Sequence, residues 1–245
     1  MTVKEWILRY KNDGMFRNKV NLYSGAVTNL GFVGVQLYGG IRYQSVWFTS
    51  LAVYYALLSA VKFYIGLSTN RKGKKAWRTF QTTGVVMLFL NLVLITMVSM
   101  MIANPKLALH EYSAILAIVT AFWAVGAAGM AIYGVVSVYK KRNPVALADR
   151  LVGLITAAVS VLMLQTSLVA SVNGNEIEKG REYIEQFGAV ARVPAEMTEI
   201  LSETTQELAT SNTVTGVLVV VFAGGVTWYM IIRGAIEEKN CGKKK

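Results

Sequence analysis

Six stretches of this chain contain no Asp, Glu, Lys, Arg or His: residues 20–41, 43–61, 79–105, 112–139, 151–175 and 208–232. A bilayer's hydrocarbon core, ~30 Å thick, is crossed by about 20 apolar residues in helical form. Each of the six has that length or more, or falls just short of it. No water bonds the backbone inside lipid, so each N–H and C=O must pair within its own segment, as a helix allows. Barrel strands are shorter and alternate apolar with polar residues, unlike these continuous runs. The sequence therefore predicts an all-α integral membrane protein with six transmembrane helices.

Composition argues against a soluble alternative. Hydrophobic residues make up 54% of the 245 and charged residues only 16%, with 21 glycines and 3 prolines. That profile fits a multi-span membrane protein. Pro105, Pro144 and Pro194 all fall at or beyond span ends, and proline turns the residue before it away from helical geometry.

The net charge of +11 is arranged by side. Twenty Lys and Arg lie in the N-terminal segment, between 62 and 78, between 140 and 150, and in the tail from Arg233. The other connections hold five: Arg42, Lys106, Lys179, Arg181 and Arg192. The positive-inside rule then places both termini in the cytoplasm. The excess charge is expected to face anionic lipid on the inner leaflet, with no nucleic acid partner. A multi-pass protein of the plasma membrane follows, and the absence of any N-x-[ST] sequon fits a bacterial source.

The start, MTVKEWILRYKNDG, lacks the apolar core and cleavage site of a signal peptide. Its charges interleave with Trp6, Ile7 and Tyr10, as in an interfacial helix or a short cytosolic one. The turn GGIRYQSVWF, 39–48, joins the first two spans on the outer face, with Tyr43 and Trp47 at the depth of an aromatic belt.

One outer connection differs from the rest. Residues 173–212 carry eight Glu against three Lys or Arg. Met197, Ile200, Leu201 and Leu208 share a helical face there. The segment reads as a solvated helical hairpin, or as a cap that binds a partner or attracts cations. The chain thus divides into a five-span region with its N-terminal helix, 1–172, an acidic helical outer segment, 173–212, and a sixth span with a basic tail, 213–245.

Polar and small residues recur on single faces of the spans. Gly25, Asn29, Gln36 and Gly40 align in the first, Asn91 and Ser99 in the third, and Thr156, Ser160, Ser167 and Ser171 in the fifth. The fourth has small residues at Ser113, Ala117, Ala121, Gly126, Gly129 and Gly134, spacing that allows close backbone approach. Such stripes make interhelical hydrogen bonds, each worth roughly 0.6–2 kcal/mol, or line a polar pathway between spans one, three and five. Either way the residues to watch are Asn29, Gln36, Asn91, Ser160 and Ser167.

Ionisable residues stay near span ends: Lys62, His110, Glu111 and Asp149. One His with one Glu makes a poor metal site. The single cysteine, Cys241, allows no intrachain disulfide and reads as an unmodified tail thiol, with acylation beside its basic neighbours the alternative. No nucleophile–base pair, HExxH motif, paired buried carboxylates or phosphate-binding glycine loop is present. Neither enzyme chemistry nor a cofactor is expected.

The first hairpin, NLGFVGVQLYGGIRYQSVWFTSLAVYYALLSAVKF, is similar to the first two spans of the cation diffusion facilitator family. Asn29, Gly40 and Ser45 match that family's layout over about 35 residues. The resemblance implies six spans with both ends inside. Family metal ligands would fall at Tyr54 and Leu58, which do not bind divalent metal, and the fifth span holds no Asp or His. The family's cytoplasmic metal-binding domain has no counterpart here, and the acidic outer segment is foreign to it. What the resemblance implies is a scaffold without its metal site.

Two functions are expected from these features. One is a transporter-like protein that moves a small solute along the polar stripes. The other is a non-transporting scaffold or accessory protein. It would bind a partner, or a second copy of itself, through the acidic outer segment or the basic loop 69–81.

Overall fold

The computed structural model describes residues 3–42, 45–103, 114–139, 143–187 and 195–243. They form helices α1 (Val3–Asn12), α2 (Gly14–Arg42), α3 (Val46–Leu67), α4 (Lys74–Ala103), α5 (Ala114–Tyr139), α6 (Pro144–Phe187) and α7 (Ala195–Lys243), with no strand among the described residues. Four of these segments are long and apolar enough to cross a membrane: Val46–Leu67, Lys74–Ala103, Pro144–Thr166 and Thr210–Gly242. The molecule is an all-helical protein of membrane type.

Local chemistry sets the boundaries. Asp13 separates α1 from α2, and its Oδ1 accepts the Phe16 N–H at 3.1 Å, an N-cap that satisfies an orphan donor. Trp6 stacks on Tyr10 and meets Phe16 edge-on, which folds α1 back along the start of α2. Asn143 caps α6: its Oδ1 accepts from the N–H groups of Val145 and Ala146. Pro144 follows at the first helical position, where its missing N–H costs nothing.

Two helices run past the ends of the charge-free runs. α3 continues beyond Val61 to Leu67, which takes in Lys62. α6 begins at Pro144 and so contains Asp149 and Arg150, which precede the run 151–175. A charge-free window stops at the first ionisable side chain, but a helix does not end when that side chain points into protein.

The four apolar segments form the centre. α4 packs along α7, α7 on α6, α6 on α3 and α3 on α4, with α4 also meeting α6. α2 covers α3 from outside and α5 covers α6. The α7 stripe explains its role: Asn212, Gly216, Val219, Ala223, Thr227, Met230 and Gly234 are buried at intervals of three or four, the spacing of one packed face.

α4 and α7 run antiparallel and touch through glycine. A Cβ on Gly234 would stand 3.0 Å from Gln81 Cα, one on Gly84 would stand 2.9 Å from Met230 Cβ, and one on Gly216 would stand 2.7 Å from Val98 Cγ1. Arg78 and Glu238 pair at 3.1 Å beside one end of this interface. Arg78 is 69% exposed, so that pair adds little stability.

The small face expected on α5 is rotated. Ala124, Ala131 and Gly134 are buried, whereas Gly126 and Gly129 are exposed with open space beside them. Ser113 and the Ala117 side chain lie outside the described residues. Large apolar side chains, among them Phe89, Phe122, Val125, Ile132 and Val221, cover the exterior. A continuous greasy exterior is the surface lipid requires and water penalises.

α6 and α7 each run on beyond their apolar parts, to Phe187 and back to Ala195. The acidic segment is therefore helical on both sides of residues 188–194, which lie outside the described residues, as do most of its side chains.

Candidate functional site

Three helices bring the predicted polar residues together. On α2, Ala26, Asn29 and Gln36 face inward. On α3, Tyr55, Ser59 and Lys62 fall on one face at spacings of four and three. On α6, Thr156, Ser160 and Met163 do the same. Gly40 holds one end of the α2–α3 pair close: a Cβ there would stand 2.6 Å from Thr49 Oγ1.

The hydrogen bonds form a seam. Tyr55 OH and Ser160 Oγ are 2.8 Å apart across α3 and α6. Ser160 donates its one proton to the Thr156 carbonyl at 2.9 Å, so Tyr55 is the donor between them. Ser59 donates to the Tyr55 carbonyl at 3.0 Å, with the Ala26 carbonyl of α2 at 3.4 Å. Gln36 Nε2 reaches Met163 Sδ at 3.5 Å. The Phe32 ring stands edge-on to Tyr55, centroids 4.9 Å apart.

Some buried amide atoms are left over. Asn29 and Gln36 are 3% and 0% exposed, yet Asn29 Nδ2 and Gln36 Oε1 have no hydrogen-bond partner. Each such atom costs about 1–3 kcal/mol when desolvated without compensation. Two of them lie along one face of α2, and Asn91 Oδ1 on α4 is another.

The other predicted residues part company. Asn91 is buried on α4 but turns to α7, with its Nδ2 3.2 Å from where a Gly224 Cβ would be. It lies in the α4–α7 interface and not on the seam. The Ser167 side chain lies outside the described residues. The seam thus belongs to α2, α3 and α6, the first, second and fifth predicted spans, instead of the first, third and fifth. Tyr55 takes the place expected of α4. In an apolar run it reads as core, but a mid-span phenol needs a partner for its O–H, and that need was the available signal.

The seam ends in a cluster of charges that the sequence placed in connections. Lys62 sits five residues before the end of α3 and is 9% exposed. Its Nζ lies 3.2 Å from where a Gly25 Cβ would stand, so glycine makes room for it on α2. The Asp149 side chain is 12% exposed, and its Oδ2 lies 3.9 Å from Arg150 Nε. The Arg150 side chain covers Gly134 of α5, where a Cβ would collide with its Cδ at 2.7 Å. Lys62 and Asp149 interact electrostatically but form no direct ion pair. A cavity of about 10 Å³ opens beside Asp149 and Arg150, lined also by Leu22, Thr69 and Asn143. That is room for about one water.

One carboxylate thus stands among two cations where α2, α3, α5 and α6 meet. Counting helix positions from the Asn143 cap, instead of from the first charge-free residue, would have put Asp149 and Arg150 inside α6. Among the described residues, no group of three His, Cys, Asp or Glu is placed to hold a metal. Tyr54 and Leu58 are core residues, 1% and 0% exposed, and His110 and Glu111 lie outside the described residues.

No family model, curated protein or solved structure matches this chain.

Tyr55→Phe is expected to lower stability by about 1 kcal/mol, the usual worth of an interhelical hydrogen bond in a membrane. Ser160 keeps its bond to Thr156, so the loss stays small. Equilibrium unfolding of the purified variant checks it.

Proposed function

We propose that this is a six-span protein of the plasma membrane, both termini cytoplasmic, that moves a small anionic solute along the α2–α3–α6 seam. α2 and α5 supply the two crossings beyond the four apolar segments, and α1 lies at the inner interface. The observation that carries this reading is the seam's length. From Asp149, through Thr156 and Ser160, to Met163 beside Gln36, the seam's side chains recur on one face of α6, about 21 Å at 1.5 Å per residue. One or two such residues would serve hydrogen bonding between helices, whereas this track covers about two thirds of the ~30 Å hydrocarbon core.

The charge cluster gives the cargo its sign. Lys62 and Arg150 outnumber Asp149, which serves as counter-charge while the site is empty of solute. A carboxylate or phosphate arriving from the cytoplasm replaces Asp149 between the two cations, and Asp149 turns to the water-sized cavity. The likeness to cation diffusion facilitators then concerns the scaffold and not the cargo.

The test is flux into vesicles containing the purified protein. Saturable uptake of one class among labelled small anions, with none for divalent cations, is expected. Uptake equal to empty vesicles across the panel would sink the proposal. If a protein then co-purified through the acidic outer segment, the scaffold reading would stand instead.

A further inference from the structure

The face of α3 that turns away from the seam borders a second feature. A groove of about 330 Å³ runs between α3 and α4, lined by Leu57, Ala60, Tyr64, Val86, Phe89 and Val93 among others. Its wall is almost wholly apolar, and both helices are candidate membrane spans. The volume falls in the range of specific small-molecule sites, about 300–1,000 Å³.

One end of the groove carries a positioned cation. Arg71 Nη1 donates to Thr79 Oγ1 at 2.9 Å, and its guanidinium carbon stands 6.0 Å from the Tyr64 ring centre. Tyr64 lines the groove on α3, and Thr79 precedes the lining residue Thr83 by one turn of α4. The turn that holds Arg71 is built for it. Arg71 N–H bonds to the Ser68 carbonyl at 3.0 Å, and Gly73 turns the chain at φ 54°, a left-handed geometry glycine adopts without strain. Lys72, Lys74 and Lys75 are exposed beside it.

We propose that this groove is a binding site for an anionic phospholipid of the inner leaflet, one acyl chain between α3 and α4 and its phosphate on Arg71. Two features on opposite ends select that occupant: hydrocarbon fits the apolar wall, and negative charge fits the basic turn. A second copy of the chain is disfavoured as occupant, because its own basic turn would face this one across the contact. The site is separate from the seam and does not depend on solute transport.

The experiment compares lipid retained by the intact protein after reconstitution in vesicles of equal phosphatidylcholine and phosphatidylglycerol, followed by extraction and native mass spectrometry. Wild type is expected to retain phosphatidylglycerol over phosphatidylcholine. Arg71→Gln should weaken that retention about fivefold, one basic residue's share of attraction to an anionic surface. Ala60→Phe fills the groove from an exposed position and should abolish retention with Arg71 still present. Thermal unfolding in detergent without lipid shows that each variant is folded. Equal retention of both lipids, or unchanged phosphatidylglycerol on Ala60→Phe, would overturn the site. So would a change of oligomeric state on Ala60→Phe with lipid retention intact.

Discussion

Asp149→Leu is expected to destabilise the protein by about 3 kcal/mol, because it leaves the buried Lys62 and the partly buried Arg150 without their counter-charge. The expectation sits at the low end of the range for breaking buried pairs, since Asp149 and Lys62 interact without touching. The companion result separates stability from function. Lys62→Met combined with Asp149→Leu removes both charges, and apolar replacement of a buried pair is often neutral or stabilising. The double variant should therefore recover most of the lost stability, with Arg150 reaching solvent through its 22% exposed side chain. It should still fail to move solute. Unfolding in mixed micelles measures the first part and vesicle flux the second. A double variant as unstable as the single one would show that the two groups do not act as a pair.

The second large effect lies in the α4–α7 interface. Gly234→Leu is expected to cost about 3 kcal/mol, at the upper end of overpacking penalties. The reason is what the new atoms would meet. A Cβ on Gly234 stands 3.0 Å from Gln81 Cα and 3.1 Å from its N, and backbone cannot rotate aside as a side chain would. Gly84→Leu should cost a similar amount, for a Cβ there stands 3.2 Å from Ile231 N. Gly126→Leu and Gly129→Leu on α5 have open space around them and should be near neutral. Equal losses at all four positions would mean that helix geometry, and not contact, dominates.

The helical class and four of the apolar spans were legible because bilayer thickness and backbone bonding leave few alternatives. Asn29 and Gln36 could be read as one polar face of α2, and Thr156 and Ser160 as one of α6, because helical spacing puts side chains on faces whatever the neighbour is. Which helix each face meets was not legible. Asn91 has the same character as Asn29, yet Gly224 receives it on α7, and nothing in the α4 sequence names that partner. The charge cluster escaped for a different reason. Lys62, Asp149 and Arg150 mark the ends of apolar runs, where charges usually meet water. Here Gly25 and Gly134 on other helices make pockets that keep them inside. That pairing of a long cation with a distant glycine is a tertiary fact.

If the α2–α3–α6 seam is a path and not only a packed interface, water and solute reach its side chains. Cysteine accessibility tests it most directly, and the single Cys241 makes a Cys241→Ser background simple. Cysteines would be placed one at a time at Ser59, Thr156 and Ser160 on the seam, and at Met87 in the α4 core as a control. The protein in vesicles would then be exposed to a small charged thiol reagent. Reaction at the three seam positions, slowed by transported anion, and none at Met87 is the expected result. Seam cysteines as inert as the Met87 control would contradict it and leave the seam as helix packing.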